Sequence, residues 1–226
     1  MKRSEVNRRI REALVFFERH RFHLPPFAHW TLEDWKRRRD EARAITTCGL
    51  GWDVTDYGGD RYGESGLLLV TLRNGIPGGI GTPYAEKAMI VGVGQRTPMH
   101  HHVSKTEDII VRAGGRLRVE VGSVDPGDVL SDGDVLVTTD GLTQTVPAGF
   151  VVELSVGESI TLTPDIYHAF WAEGEAVLAG EVSTVNDDAT DNVFYEKVAR
   201  FPRIEEDEPP LRLLVSDYDR VLGTAP

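Results

Sequence analysis

The apolar residues of the first twenty positions recur at helical intervals. Ile10, Leu14 and Phe17 lie three or four residues apart, so they share one face of a helix predicted over residues 4–20. Ser4 is its expected N-cap, because a serine hydroxyl can accept a hydrogen bond from a free amide of the first turn. The prolines at positions 25 and 26 end the pattern. This stretch is predicted to pack its apolar face against a larger unit.

A second helix is predicted from Thr31 to about Ala44. The Thr31 hydroxyl can cap the amides near Asp34, and a charged stretch follows. Residues 1–50 are therefore predicted to form an α-helical extension.

From about residue 51 the pattern changes to short runs of β-branched and aliphatic residues separated by glycine-rich turns. Many short strands at close spacing indicate a sandwich or barrel rather than alternating βαβ units. We predict one domain that is mainly β, with the barrel over residues 51–200 and a C-terminal segment over residues 201–226. The acidic residues 205–208, which precede two prolines, are expected to form a surface turn, and no role follows for Glu205 or Glu206. Strands are predicted at residues 67–72, 88–93, 109–111, 117–121, 135–139, 144–146, 151–154, 159–162 and 176–182.

Charge and composition narrow the possible partners. The net charge is −11, and the basic runs near residues 36–39 are mixed with acids, whereas binding to nucleic acid needs a clustered positive surface. No apolar run approaches the ~20 residues of a membrane span, and no signal-peptide core is present. The one cysteine, Cys48, cannot form an internal disulfide. We expect no nucleic-acid or membrane partner and a cytoplasmic location.

The segment around His100 and His102 carries the clearest chemistry. Side chains at alternate positions of a strand project from the same face, so both imidazoles can point into a barrel while His101 points away. Glu107 follows five residues later, which leaves room for a turn that brings its carboxylate alongside them. Nitrogen and carboxylate ligands suit manganese, iron, cobalt, nickel or zinc, and the sequence does not choose among these metals.

The spacing of this segment resembles the first sequence motif of the cupins, which are double-stranded β-helix, or jelly-roll, barrels. The resemblance extends to every defined position of that motif: Gly94, His100, His102, Glu107 and Gly114. The second cupin motif usually supplies one more histidine after a proline and a glycine. Here Pro164 precedes His168 at a spacing one residue shorter, and the glycine is missing. A cupin barrel with His168 as the fourth ligand is the resulting expectation.

Over nearly its whole length the chain also resembles the D-lyxose isomerase family. The resemblance is carried by residues 1–4 (MKRS), 23–27 (HLPPF), 50–55 (LGWDVT), 84–87 (YAEK), 97–100 (TPMH), 105–110 (KTEDII), 167–173 (YHAFWAE), 180–183 (GEVS) and 185–188 (VNDD). It implies a manganese-dependent enzyme that interconverts D-lyxose and D-xylulose, often with D-mannose and D-fructose as a second pair. The four metal ligands that it implies are His100, His102, Glu107 and His168.

Aldose–ketose isomerisation needs a base that carries a proton between C1 and C2 of an enediol, and a cation that stabilises the charge on the sugar oxygens. Glu181 is the first candidate for the base, because it is an acid within an apolar strand that follows His168. Lys105, between two ligands, is the second candidate and could instead polarise the carbonyl oxygen. The residues expected to contact the monosaccharide are Trp52, Asp53, Glu86, Lys87 and Asp191.

Two other functions remain open on the sequence. The same ligand set can hold Fe(II) in a cupin dioxygenase, and a cupin can sense a sugar without catalysis. A base such as Glu181 and a polar pocket favour the isomerase. A homodimer is expected, because cupins often protect their sheet edges by pairing barrels.

Overall fold

The structure, a computed structural model, describes residues 1–223, so the last three residues of the predicted C-terminal segment lie outside the described part. Its four helices are α1 (Arg3–Arg19), α2 (Leu32–Arg37), α3 (Arg43–Thr47) and α4 (Tyr218–Leu222). Short 3₁₀ turns cover Pro26–His29 and Val215–Asp217. None of the helices in residues 1–223 is long and apolar enough to cross a membrane.

The helical extension differs from the prediction at two points. The N-cap of α1 is Lys2, and the Ser4 hydroxyl instead donates to Asp207 at 2.7 Å, so the expected serine cap is wrong. The predicted second helix does begin with the reciprocal cap of Thr31 and Asp34, but it ends at Arg37. Residues 38–41 are exposed, so this charged stretch has no buried apolar face that would hold a longer helix.

Twelve strands form one sheet in the described chain. Two of them, β5 and β11, are 19 residues long and run antiparallel to each other, so the runs predicted at 109–111 and 117–121 are parts of one strand. The strands are β1 (Gly51–Thr55), β2 (Leu67–Gly75), β3 (Gly81–Val91), β4 (His100–His102), β5 (Glu107–Asp125), β6 (Val129–Ser131), β7 (Val135–Thr139), β8 (Leu142–Val146), β9 (Val151–Leu154), β10 (Ser159–Leu162), β11 (Ile166–Thr184) and β12 (Asn192–Phe194).

The sheet closes around an apolar core. Its main path is β1-β2-β3-β11-β5-β10-β7-β8, and β4 joins β11 to β12. Leu69 of β2 and Val137 of β7, from opposite ends of this path, belong to the same buried cluster. A sheet whose two ends share one core must curl into a barrel. The mainly β prediction is confirmed.

The outer face of β1 and β2 is covered by α1. Leu67 and Leu69 face the barrel interior, whereas Leu68 and Val70 face outward and pack with Ile10 and its neighbours on α1. Because both faces are covered, β2 is buried over Leu67 to Leu72 without a polar alternation.

The segment after residue 200 returns to α1 through an ion cluster, which we call the clasp: the buried Arg3 and Asp217 with the more exposed Glu206 and Arg220. The Arg3 guanidinium is fully buried and makes two hydrogen bonds to Glu206 and two to Asp217, at 2.7–3.0 Å. Arg220 reaches the same two carboxylates. Glu206 is therefore part of an ion-paired contact between distant segments, a role that the sequence did not indicate, while residues 205–207 are exposed as the prediction of a surface turn requires.

Candidate metal centre

Strand β4 directs two of its three histidines into the barrel. His100 and His102 lie on one face, with ring centroids 5.4 Å apart. His101 lies on the other face, where its Nδ1 is 3.1 Å from the Pro164 carbonyl oxygen and its ring packs on Tyr167. This arrangement follows from the two-residue period of a strand.

The pairing of β11 with β4 places a third histidine beside these two. In that pairing His168 stands opposite His100, and their ring centroids are 4.2 Å apart. The ligand atoms of His100, His102 and His168 all lie within 4.8 Å of one another. Strand register therefore brings His168 to two residues that precede it by 68 and 66 positions, His100 and His102.

Glu107, the first residue of β5, completes the cluster. Its Oε1 is 3.3 Å from Nε2 of His102 and 3.3 Å from Nε2 of His168. The carboxylate is buried, with 3% of its side chain exposed. Three imidazoles and one carboxylate are a donor set suited to a divalent transition metal.

The cluster contains buried polar atoms that no residue of the described chain satisfies. Within residues 1–223, Nε2 of His102 and Nε2 of His168 are buried and have no hydrogen-bond partner. Buried polar atoms are nearly always paired, because leaving one unpaired costs about 1–3 kcal/mol. His100 and His168 turn their Nδ1 atoms to the carbonyl oxygens of Pro98 and Ile166, at 2.8 and 3.2 Å. Their Nε2 atoms are thereby left for a cation, and the residues fit a metal ion.

The protonation states of His100, His168 and Glu107 also suit a cation, whereas burial is outweighed at His102 by Glu107 and Asp191, which raise the pKa of this ring in the metal-free protein. Burial, reinforced at His100 by its neighbour His168, holds the pKa values of both imidazoles below their ordinary value. Burial alone would raise the pKa of Glu107, but Lys105 and His102 outweigh it and hold this pKa well below its ordinary value. His100 and His168 are thus neutral and Glu107 is ionised near neutral pH, which are the states that bind metal.

A second layer of charge lines the same cavity. The Lys105 ammonium is 2.7 Å from Oε2 of Glu107 and 3.1 Å from Oε1 of Glu181. Lys87, which stands opposite Glu181 in the pairing of β3 with β11, approaches the same Oε1 at 3.2 Å. Burial would lower the pKa of Lys105, but Glu107 and Glu181 outweigh it and raise the pKa. Lys105 is therefore a hydrogen-bond donor in this arrangement.

The charged network continues through Asn186, Asp188 and Arg200, which the sequence reasoning did not select. Asp188 accepts from Lys87 at 3.3 Å and pairs with Arg200 at 3.1 Å, and Asn186 accepts from both lysines. Burial would raise the pKa of Asp188, but Lys87 and Arg200 hold it far below its ordinary value. Asn186 and Asp188 belong to the VNDD segment of the family resemblance, which was a signal for them. Arg200 carried no such signal.

The five predicted sugar contacts fall in different places. Lys87 lines the cavity. Asp53 pairs with Arg200 at 2.7 Å and lines a neighbouring cleft rather than the cavity itself. Asp191 faces His102 and Ser104 instead of the cavity centre.

Two of those contacts are wrong for this structure. Trp52 lies under α1, where its indole nitrogen donates to the Ala28 carbonyl oxygen at 2.7 Å and its ring packs beside Phe17. Glu86 precedes Lys87 on β3, so it points to the opposite face, where it pairs with Arg73. In both cases strand alternation places the side chain on the outer side of the sheet.

Two volumes describe the space around the site. The cavity beside the histidines measures about 40 Å³, and Lys105, Glu181 and Asp188 are among its lining residues. A cleft of about 550 Å³ lies next to it and shares Asp188 as a wall. Its other lining residues include Asn74, Asn186, Asp187 and Thr190.

Comparison with known proteins identifies close relatives. The family model described as D-lyxose isomerase matches residues 1–218. A protein from Serratia proteamaculans named D-lyxose/D-mannose isomerase is 49% identical over 229 residues, covering 99% of this chain and 100% of the relative. A protein of the same name from Escherichia coli O157:H7 is 44% identical over 223 residues, covering 96% of this chain and 98% of the relative.

Solved structures share the fold at lower identity. The L-ribose isomerase of Acinetobacter sp. DL28 in complex with L-ribose superposes with a TM-score of 0.61 at 18% identity, over 91% of this chain and 98% of that chain. The L-ribose isomerase of Geodermatophilus obscurus gives a TM-score of 0.58 with the same identity and coverage. The predicted cupin fold is confirmed by this likeness.

Proposed function

The chain belongs to the D-lyxose isomerase family, and from that premise we propose that it interconverts D-lyxose with D-xylulose and D-mannose with D-fructose. That it is a sugar isomerase, acting between aldoses and ketoses, follows from the family and from relatives at 44–49% identity. The choice of sugars rests on the names of those two relatives. The reaction would pass through a cis-enediol by transfer of one proton between C1 and C2.

We further propose that the enzyme depends on a divalent metal, with Mn²⁺ first and Co²⁺, Fe²⁺, Ni²⁺ or Zn²⁺ as alternatives. His100, His102, Glu107 and His168 would hold it. When bound, such a cation supplies Lewis acidity that polarises the sugar carbonyl and stabilises negative charge on the sugar oxygens. The support for this ligand set is the pair of buried Nε2 atoms without partners beside an ionised Glu107.

Glu181 is the proton carrier in this proposal. The observation that carries the assignment is its carboxylate, buried in the same cavity as the histidines and contacted by the ammonium groups of Lys105 and Lys87 at 3.1 and 3.2 Å. Lys105 is excluded as the base while its pKa is raised, and it acts as a donor that orients a sugar oxygen. Lys87 would do the same for a neighbouring hydroxyl.

The sugar has to displace some of these internal contacts. Ligand pockets generally measure about 300–1,000 Å³, and the 40 Å³ cavity is far smaller. Asp188 separates the cavity from the 550 Å³ cleft. We infer that C1 and C2 enter the cavity while the distal hydroxyls lie toward this polar cleft.

The charged lining also bears on the competing functions. A dioxygenase acting on apolar substrates would favour an apolar cavity, whereas Lys87, Lys105, Glu181 and Asp188 bring four charged groups into the lining of this one, beside apolar residues such as Leu69 and Phe170. A sensing protein would not require a buried base beside its ligand. We also propose a homodimer in solution, which sedimentation analysis of the full chain would measure, and a cytoplasmic location, with which the single cysteine agrees.

A sugar panel tests the proposal most directly. Chelator-treated protein is resupplied with Mn²⁺ and incubated anaerobically with free aldoses and ketoses, and the isomers are separated by chromatography. We expect turnover of D-lyxose and D-mannose that needs the metal and does not need oxygen. Oxygen-dependent conversion would instead support a dioxygenase.

A variant of the base sharpens the test. Glu181→Gln should lower kcat for D-lyxose by about 10²–10⁴-fold, the usual contribution of general acid–base catalysis. Metal affinity should be unchanged, because Glu181 is not among the four ligands. Near-full activity of this variant would eliminate Glu181 as the proton carrier.

A further inference from the structure

We propose that Asp191 is a positioning residue of the metal centre, whose carboxylate accepts the Nδ1 hydrogen of His102 and so fixes that ring with Nε2 toward the cation. The inference rests on the metal dependence proposed above. It replaces the sugar contact expected from the sequence with a role that acts through His102.

The three histidines are held in different ways. His100 and His168 each have Nδ1 near the carbonyl oxygen of the residue two positions earlier, Pro98 and Ile166. Nδ1 of His102 has no hydrogen-bond partner among the described residues, and the group that faces it is Oδ2 of Asp191 at 3.4 Å. That Oδ2 is also buried and without another partner in residues 1–223. Nδ1 of His102 can therefore donate the hydrogen bond that Oδ2 of Asp191 can accept.

Asp191 is held firmly in this position. Its Oδ1 accepts from the amide and the hydroxyl of Ser104 at 2.9 and 2.8 Å, and its carbonyl oxygen accepts from the Val103 amide at 2.9 Å. Strand β12 begins at the next residue and pairs with β4, where Asn192 stands opposite His102. With Oδ1 committed to Ser104, Oδ2 is free for His102.

The distance of 3.4 Å between Nδ1 of His102 and Oδ2 of Asp191 is slightly longer than a hydrogen bond. Ordinary N–H···O hydrogen bonds are about 2.9 Å long, so a shift of about half an ångström closes the contact. A neutral imidazole whose Nδ1 carries the hydrogen must offer its Nε2 lone pair to the cavity. An anionic acceptor also makes the ring a stronger electron donor than a backbone carbonyl does, so His102 is the most basic of the three imidazole ligands.

Metal titration tests the role without any sugar. Mn²⁺ is titrated into chelator-treated full-length protein, and Asp191→Asn should bind about 10–100-fold more weakly, the usual loss when such an outer partner is removed. Ser104→Ala is the matched control. It removes one donor to Oδ1 but keeps the Ser104 amide and the carboxylate, so its affinity should stay close to that of the unaltered protein.

A tautomer measurement separates positioning from general structural support. In Asp191→Asn the Ser104 donors hold the side-chain oxygen, so the amide nitrogen should face His102 and favour the form that carries hydrogen on Nε2. Long-range ¹H–¹⁵N NMR of the metal-free protein, recorded at a pH high enough for the His102 ring to be neutral, should therefore show the hydrogen on Nδ1 in the unaltered chain and on Nε2 in the variant. Thermal unfolding of both proteins is also recorded, to detect a general loss of stability in the variant.

The outcomes are distinct. Unchanged Mn²⁺ affinity with an unchanged His102 tautomer would overturn the role of Asp191, and so would a loss of thermal stability without a loss of affinity. If the unaltered protein did not bind Mn²⁺, the metal dependence under the proposed function would fail instead. If it bound Mn²⁺ but converted no sugar, only the proposed sugars would fail.

Discussion

Two clusters of charge with buried members, the clasp and the group of residues around the barrel cavity, differ in how completely their polar atoms are paired. In the clasp, the Arg3 guanidinium makes four hydrogen bonds to Glu206 and Asp217. In the barrel, His102 and His168 keep nitrogens that have no partner among residues 1–223. Burial of charge is common to both, so burial alone does not identify a functional site.

The difference in hydrogen bonding between the clasp and the cavity predicts different roles for them. A buried ion pair with all its hydrogen bonds made holds two segments in one arrangement, and removing one partner is strongly destabilising. A buried atom left without a partner costs free energy that binding of a ligand can recover. The clasp is therefore expected to govern stability, and the cavity to govern binding and turnover.

The largest effect should come from removing a ligand from the cavity. His168→Ala should reduce turnover to background and abolish the rise in Tm that Mn²⁺ gives the unaltered protein, because a ligand that binds only the folded state stabilises it by mass action. Thermal scans with and without Mn²⁺ measure this. A variant that kept a full metal-dependent rise in Tm would remove His168 from the ligand set.

A substitution in the clasp should lower stability and leave turnover unchanged. Arg3→Met should lower the free energy of unfolding by about 3–5 kcal/mol, because it leaves the buried Asp217 without its main partner. Denaturant titration measures this loss, while kcat per folded molecule should be unchanged.

A double variant controls for the clasp prediction. Asp217→Asn should cost less in the Arg3→Met background than alone, since the charge it removes has then already lost its main partner and keeps only the partly exposed Arg220. An equal loss in the free energy of unfolding in both backgrounds would show that Arg3 and Asp217 are not coupled. The clasp would then not be the stabilising contact that the comparison assumes.

The smallest effect is expected at Glu86, which neighbours Lys87 in the sequence but lies on the other face of β3. Glu86→Ala removes a partly exposed ion pair with Arg73, and such pairs contribute about 0–1 kcal/mol. Its kcat/KM for D-lyxose should match that of the unaltered chain. A tenfold loss would restore Glu86 as a sugar contact and contradict the strand orientation.

The errors of the sequence interpretation have a common cause. Trp52 and Glu86 were selected by residue type and by the motifs around them, and each lies on the side of its strand that faces away from the cavity. A one-residue difference along a strand reverses the face, and residue type does not reveal which face is inside when both are covered. Ser4 failed as a cap for a related reason, because Asp207, 203 residues away, takes its hydroxyl.

The sequence by itself determined the mainly β fold, the family, and the pair of histidines whose alternation places them on one face. These features depend on local spacing, which a chain carries along its length. Only the tertiary structure decided that Glu181 meets Lys87 and Lys105, that Arg200 pairs with Asp53 and Asp188, and that Asp191 faces His102. Those contacts are fixed by the register of strands and by loops distant in sequence, since pairing across a sheet joins residues that no local pattern relates.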